Sequence, residues 1–71
     1  MNGYKNYETY NIALWISNDG TLYELALCSL SYPDFVVKAI TEGISETEDG
    51  VSFLHPDVDT SELSELIDDF R

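Results

Sequence analysis

The stretch NYETYNIALWISNDGTLYELALCSL, residues 6–30, is dense in aromatic and aliphatic side chains. From Tyr7 to Asn18 the apolar residues cover most of a helical circumference, which predicts a first helix buried on several sides. The NDG sequence at residues 18–20 predicts a break, because Asn or Asp caps a following helix and Gly tolerates a turn. A second helix is predicted from Thr21 to about Ser29, so the stretch indicates two helices joined by a short turn.

Two further helices are predicted downstream. SYPD at residues 31–34 predicts the start of a third helix, which runs from about Pro33 to Glu42 and is followed by Gly43 as its C′ residue. DTSE at residues 59–62 has the form of a capping box and predicts a last helix that begins near Asp59. Helical spacing assigns inward positions to the following residues: Phe35, Val36, Ala39 and Ile40 in the third helix, and Leu63, Leu66, Ile67 and Phe70 in the last.

The segment between these helices leaves two alternatives open. A DG pair at residues 49–50 lies between short β-friendly pieces, which favours a short β-hairpin near residues 44–53. A plain loop fits the same residues. The sequence therefore predicts a mainly α fold: one small domain over residues 1–71, with about four helices.

Acidity is the strongest feature of the composition. The 71 residues include 14 acidic and three basic side chains, for a net charge of −11. Direct binding to nucleic acid is disfavoured, because Lys and Arg must neutralise the phosphates, and an anionic membrane is disfavoured for the same reason. A protein partner with a basic surface is favoured. The alternative is that the charge only keeps a small protein soluble.

Neither an export signal nor a run of about 20 apolar residues is visible, so a cytoplasmic protein without a membrane span is expected. The single cysteine, Cys28, excludes an intramolecular disulfide and is expected to be a buried, reduced thiol. Cys28 and His55 are the only residues of their types and do not form a pair at metal-ligand spacing. With no catalytic group, metal site or cofactor motif indicated, an enzyme is not expected.

Two sets of residues are candidates for partner binding. The first is an acidic face in the C-terminal half, where carboxylates three and four residues apart on a helix would lie about 5–6 Å apart at Cβ, a spacing comparable in scale with that of phosphates. The second is a set of tyrosines expected to be exposed, since Tyr is enriched at interface hot spots. The acidic set is Glu42, Glu46, Glu48, Asp49, Asp59, Glu62, Glu65, Asp68 and Asp69; the aromatic set is Tyr4, Tyr7, Tyr23 and Tyr32. A solvated polar face and ordinary packing are the respective alternatives.

Two asparagines lie among the apolar residues of the first predicted helix. Asn11 and Asn18 need hydrogen-bond partners there. Each is predicted to hold a neighbouring loop or helix end in place, rather than to recognise a partner.

The segment YETYNIALWISNDGTLYELA, residues 7–26, resembles a family of small acidic bacteriophage proteins that includes proteins of cyanophages. The family pattern is matched by Tyr7, Thr9, Tyr10, Asn11, Leu14, Trp15, Ile16, Asn18, Asp19, Leu22 and Tyr23. EDGVSFLHPDVDTSELSELI, residues 48–67, is similar to the C-terminal part of the family. The resemblance carries no activity with it, but it implies a phage or mobile-element origin.

Small acidic phage proteins are often inhibitors of host enzymes. The expected function is therefore that of an accessory protein in the host cytoplasm, which binds and inhibits a host protein through the acidic face and the tyrosines. A nucleic-acid-binding enzyme is the expected target, with the acidic face acting as a DNA mimic. Two alternatives stay open: a self-assembling homo-oligomer, or a regulator that docks on a host metabolic enzyme.

Overall fold

A computed structural model describes residues 3–71 of the chain, and it confirms the predicted mainly helical fold. The four helices are α1 (Tyr7–Asn18), α2 (Gly20–Leu27), α3 (Tyr32–Thr41) and α4 (Thr60–Asp69). α1 has the predicted bounds. α2 ends two residues earlier than predicted. The Cys28 N–H bonds to carbonyls of the last turn as the C-cap, and Ser29 lies beyond the helix.

Each helix begins after a residue whose side-chain oxygen accepts a hydrogen bond from the backbone N–H three positions later. The four bonds are Thr9 N–H to Asn6, Leu22 N–H to Asp19, Asp34 N–H to Ser31 and Glu62 N–H to Asp59. The predicted capping box at residues 59–62 is thus half formed. Its other half is replaced by Thr9, whose hydroxyl accepts from the Asp59 N–H at 2.9 Å and joins α1 to the start of α4.

One apolar core lies between the helices. α1 packs against α2 and α4, and α3 packs against the same two helices. All four helices contribute side chains that are completely inaccessible to solvent: Ile12, Ile16, Ala26, Phe35, Ala39, Leu63 and Ile67. Since Phe35, Ala39, Leu63 and Ile67 occupy predicted inward positions, helical spacing located most of the residues that α3 and α4 contribute to the core.

Two predictions of burial are wrong. Ile40 is 45% exposed, because α3 carries apolar residues around more of its circumference than α2 and α4 cover. Cys28 is also exposed, since it follows the last turn of α2 and lies outside the core cluster.

Residues 44–53 form a hairpin-like loop with a single antiparallel bridge, between Glu46 and Ser52. Thr47 N–H donates to the Val51 carbonyl at 2.9 Å, and Gly50 N–H donates to the Thr47 carbonyl at 2.9 Å. Gly50 has a φ of +88°, the left-handed conformation expected at the last position of a three-residue hairpin loop. The predicted turn is therefore present, but within residues 3–71 it does not extend into strands.

Candidate protein-interaction surface

A buried amide holds the 44–53 loop against α1. Asn11 is only 2% exposed, and its Nδ2 donates to Asp49 Oδ2 at 2.8 Å. The Thr47 hydroxyl donates to Asn11 Oδ1 at 2.7 Å, and Trp15 Nε1 donates to the same Asp49 oxygen at 2.8 Å. The prediction that Asn11 holds a neighbouring loop is confirmed. Asn18 instead donates to the Leu14 carbonyl within α1.

The same network changes the interpretation of Asp49, one of the predicted partner-binding acids. Hydrogen bonds from Trp15, and secondly from Asn11, hold the pKa of its carboxyl below the ordinary value. Asp49 is on the surface, yet one of its oxygens already accepts two hydrogen bonds. Its carboxylate therefore has a structural role in the loop.

Two other predicted acids also have partners inside the chain. Asp59 caps α4, as described above. Glu62 Oε1 accepts from the backbone N–H of Lys5 at 2.9 Å, which ties the N-terminal segment to α4. Both residues are half-buried. The remaining predicted acids are exposed: Glu42, Glu46, Glu48, Glu65, Asp68 and Asp69.

Three of the exposed acids lie near residues on two different sides of α1. Glu46 and Glu48 border a cleft that Trp15 also lines. Asp69 belongs to α4 and lies near Tyr4, which packs against Tyr10 on another side of α1 with ring centroids 6.4 Å apart. The pKa of Tyr4 is raised by burial first and then by the charges of Glu62 and Asp69.

The four predicted contact tyrosines differ in exposure. Tyr7 is exposed, and its hydroxyl accepts from Asn11 Nδ2 at 3.2 Å. Tyr4 and Tyr23 are half-buried, the latter against Phe70 with centroids 4.9 Å apart. These three keep some accessible surface.

The prediction that Tyr32 is exposed is wrong. Its side chain is 1% exposed, and its hydroxyl donates to the Phe53 carbonyl at 2.7 Å. Burial raises the pKa of this hydroxyl. Tyr32 is therefore part of the core, where its hydroxyl satisfies a backbone group of the 44–53 loop.

Few of the acids are neutralised within the chain. Residues 3–71 contain two salt bridges, Lys38 to Asp34 at 2.8 Å and Arg71 to Asp68 at 3.5 Å. Both partners of each pair lie on the surface three or four residues apart. Of the ten carboxylates between residues 41 and 70, Asp68 alone has a cationic partner in the part of the chain that the structure describes.

An apolar groove of about 530 Å³ lies between α3 and the segment that follows the 44–53 loop. Several of its lining side chains are accessible, among them Val37 at 64% exposed, Ile40 at 45% and Leu54 at 69%. Tyr32, Pro33, Val36, Phe53, His55, Pro56, Val58 and Thr60 complete the lining. This groove was not predicted from the sequence. The signal was present in FVVKAI, residues 35–40, whose apolar residues are too many for one inward stripe.

Two observations bear on other kinds of site. No helix within residues 3–71 is long and apolar enough to span a membrane. Over the same residues, no three His, Cys, Asp or Glu side chains are grouped closely enough to hold a metal ion.

The fold and its surface define a small acidic four-helix domain with an accessible apolar groove beside α3. The chain belongs to a family of unknown function, DUF7249, whose model matches residues 1–71. No curated protein matches the chain. No solved structure matches it either.

Proposed function

We propose that this protein is a phage accessory protein that binds a basic host protein and inhibits it. The observation that carries the proposal is the set of exposed carboxylates without cationic partners in the C-terminal half. Unneutralised charge of one sign destabilises a compact chain through self-repulsion. A partner that supplies the missing cations would relieve that repulsion and be attracted from a distance.

A nucleic-acid-binding enzyme is the target class that we favour, because its binding surface must present Lys and Arg to phosphates. α4 presents Glu65, Asp68 and Asp69 within two turns of helix, and Glu46 and Glu48 extend the charge to a second surface. Such an array could occupy the place of a nucleic-acid backbone. The resemblance to acidic phage proteins supports the host-directed role and the cytoplasmic location that it requires.

The test is affinity capture from a lysate of the host, at low and at physiological salt, with mass spectrometry of the captured proteins. We expect a basic nucleic-acid enzyme that is retained at low salt, weakened at higher salt and displaced by duplex DNA. Activity of that enzyme should fall when this protein is added. A captured protein that duplex DNA does not displace would favour the alternative of a regulator of a host metabolic enzyme.

Two matched double variants test whether a particular acidic surface, and not the net charge alone, controls binding. Glu48→Gln with Glu65→Gln removes charge from the proposed binding surfaces, whereas Glu8→Gln with Glu24→Gln removes the same charge elsewhere. None of these four side chains makes a hydrogen bond or salt bridge in the structure of residues 3–71. The first pair should slow association severalfold more than the second. Equal effects would mean that net charge alone, and not a particular surface, controls binding.

Self-assembly is a second candidate, and one observation favours it. Tyr7 and Leu14 are both exposed and lie seven residues apart on the same face of α1. Two copies could pack these faces together. Sedimentation at micromolar concentration would then show a dimer that persists in high salt, and replacement of Leu14 by Ser would abolish it.

A further inference from the structure

We propose that the groove between α3 and residues 53–60 binds an amphipathic helix of the partner, one that carries Lys or Arg beside its apolar stripe. This inference rests on the proposed function, since it takes the partner to be a basic protein. It adds the place of contact and the form of the segment that is bound.

The groove is held open by hydrogen bonds that do not depend on a ligand. At its base, the Tyr32 hydroxyl donates to the Phe53 carbonyl, and the Tyr32 N–H donates to Ser64 Oγ at 2.9 Å. On its far wall, the Asp57 N–H donates to His55 Nδ1 at 3.0 Å. A preformed groove loses little conformational entropy on binding, which favours affinity.

The lining selects a helix over the other common peptide forms. A bound strand needs an exposed sheet edge, and residues 3–71 contain only the isolated bridge at Glu46. A polyproline segment needs exposed aromatic rings, but Tyr32 and Phe53 are each 1% exposed. The accessible lining is aliphatic, which suits the apolar stripe of a helix.

The length of the groove fits about two helical turns. Pro33, Val37 and Ile40 line it along α3, and seven residues of helix span about 10 Å at 1.5 Å per residue. A partner helix could therefore place apolar side chains at positions i, i+3 or i+4, and i+7 against it.

Charge complementarity selects a basic helix rather than a second copy of this chain. Asp57 lies next to the lining residue Pro56, and its carboxylate is exposed while its backbone is held by His55 on one side and by the Asn6 side chain on the other. The cation nearest in sequence to the groove, Lys38, is already bonded to Asp34. A second copy would bring another net charge of −11 toward Asp57, and charges that approach closer than the Debye length of about 8 Å are only partly screened at physiological salt.

The test uses three synthetic peptides as probes. The first is a helix with Leu at i, i+3, i+4 and i+7 and Lys at the remaining polar positions. The second has the same composition in an order that gives no apolar face. The third replaces every Lys by Glu. Fluorescence anisotropy gives the affinities, and the amide NMR spectrum of the protein shows where each peptide binds.

Leu54→Ser and Leu30→Ser are the matched variants. Both leucines are highly exposed, at 69% and 82%, but only Leu54 lines the groove. Loss of one buried Leu side chain from an interface should weaken binding of the first peptide by roughly tenfold or more for Leu54→Ser, and leave Leu30→Ser within about twofold. Amide shifts should concentrate at Val37, Ile40 and Leu54.

Each other outcome overturns a defined part of the inference. Equal affinities for the two variants, or equal affinities for the first and second peptides, would show that the groove does not bind a helix. Tight binding of the Glu peptide would refute the selection of a basic partner. A salt-resistant dimer that Leu54→Ser abolishes would identify a second copy as the occupant. Failure of the groove in these assays would leave the proposed function standing if the Glu48 and Glu65 pair still slowed association with the captured host protein.

Discussion

Replacing Asn11 by Ala should destabilise the fold far more than its position on a helix suggests. The side chain makes three hydrogen bonds, with Asp49, Tyr7 and Thr47. Without it, the hydroxyl of Thr47 loses its acceptor at a position that is 3% exposed. A buried polar group left unpaired costs about 1–3 kcal/mol, and the lost hydrogen bond costs about 1 more, which gives a total of roughly 2–4 kcal/mol.

For a domain of this size, 1 kcal/mol corresponds to about 4–8 °C in Tm, so the Asn11→Ala variant should melt roughly 8–32 °C below the wild type. Thermal and urea unfolding followed by circular dichroism measure this change. Trp15 fluorescence reports the same loop directly, because its indole N–H donates to Asp49 in the network.

Asn18→Ala is the matched control for this measurement. Asn18 belongs to the same helix, but it is exposed and bonds to a carbonyl of its own last turns. We expect its free energy of unfolding to change by less than about 0.5 kcal/mol, as for most surface substitutions. If the two variants unfolded within that margin of each other, the buried network would not be what holds the loop to α1.

Three further predictions concern pH, backbone conformation and salt. Hydrogen bonds lower the pKa of Asp49, so the stabilisation that they give is fully present above the ordinary Asp pKa of about 3.9. This stabilisation is lost as the pH falls through the lowered pKa. Trp15 fluorescence should therefore change in that acidic range, and it should not do so in an Asp49→Asn variant. Gly50→Ala should destabilise the fold by about 1–2 kcal/mol, because the backbone φ at Gly50 is +88°. Gly20→Ala should be neutral or stabilise the fold by up to about 1 kcal/mol, since no atom other than those of its chain neighbours and its own helix backbone lies within 4 Å of the added Cβ. Urea unfolding of both variants measures the difference. Raising the salt from about 0.01 M to about 0.15 M shortens the Debye length from about 30 Å to about 8 Å and should raise Tm in a calorimetric scan; an unchanged Tm would mean that the acids do not repel one another appreciably.

The helices could be predicted because their determinants are local. Asp19 and Asp59 each cap a helix through a bond to an N–H three residues later, and such bonds depend on neighbouring residues only. The turn at Gly50 is local for the same reason, since the DG pair sets its geometry. The role of Asn11 could also be predicted, because a buried amide in an apolar helix must find partners, although the sequence could not name Thr47 or Asp49.

The surface could not be predicted because it depends on contacts distant in sequence. The burial of Tyr32 depends on the Phe53 carbonyl, 21 residues away, and the exposure of Ile40 depends on how far α2 and α4 cover α3. Helical spacing gives the direction of an apolar residue relative to its own helix only. It does not tell which of two apolar sides of α3 faces the core and which lines a groove.

The separation of the exposed acids from the apolar groove has a kinetic consequence for the proposed complex. Charges act over a Debye length and mainly set the rate of association, whereas a desolvated apolar contact mainly sets the rate of dissociation. Glu65 lies on the exposed side of α4 and Leu54 lines the groove, so the two can be changed independently. Neutralising Glu48 and Glu65 should therefore lower the association rate and its salt dependence, while Leu54→Ser should raise the dissociation rate with little change in the response to salt. A variant at Leu54 that altered only the association rate would mean that the apolar contact is already formed in the transition state for association, which would refute this division of roles.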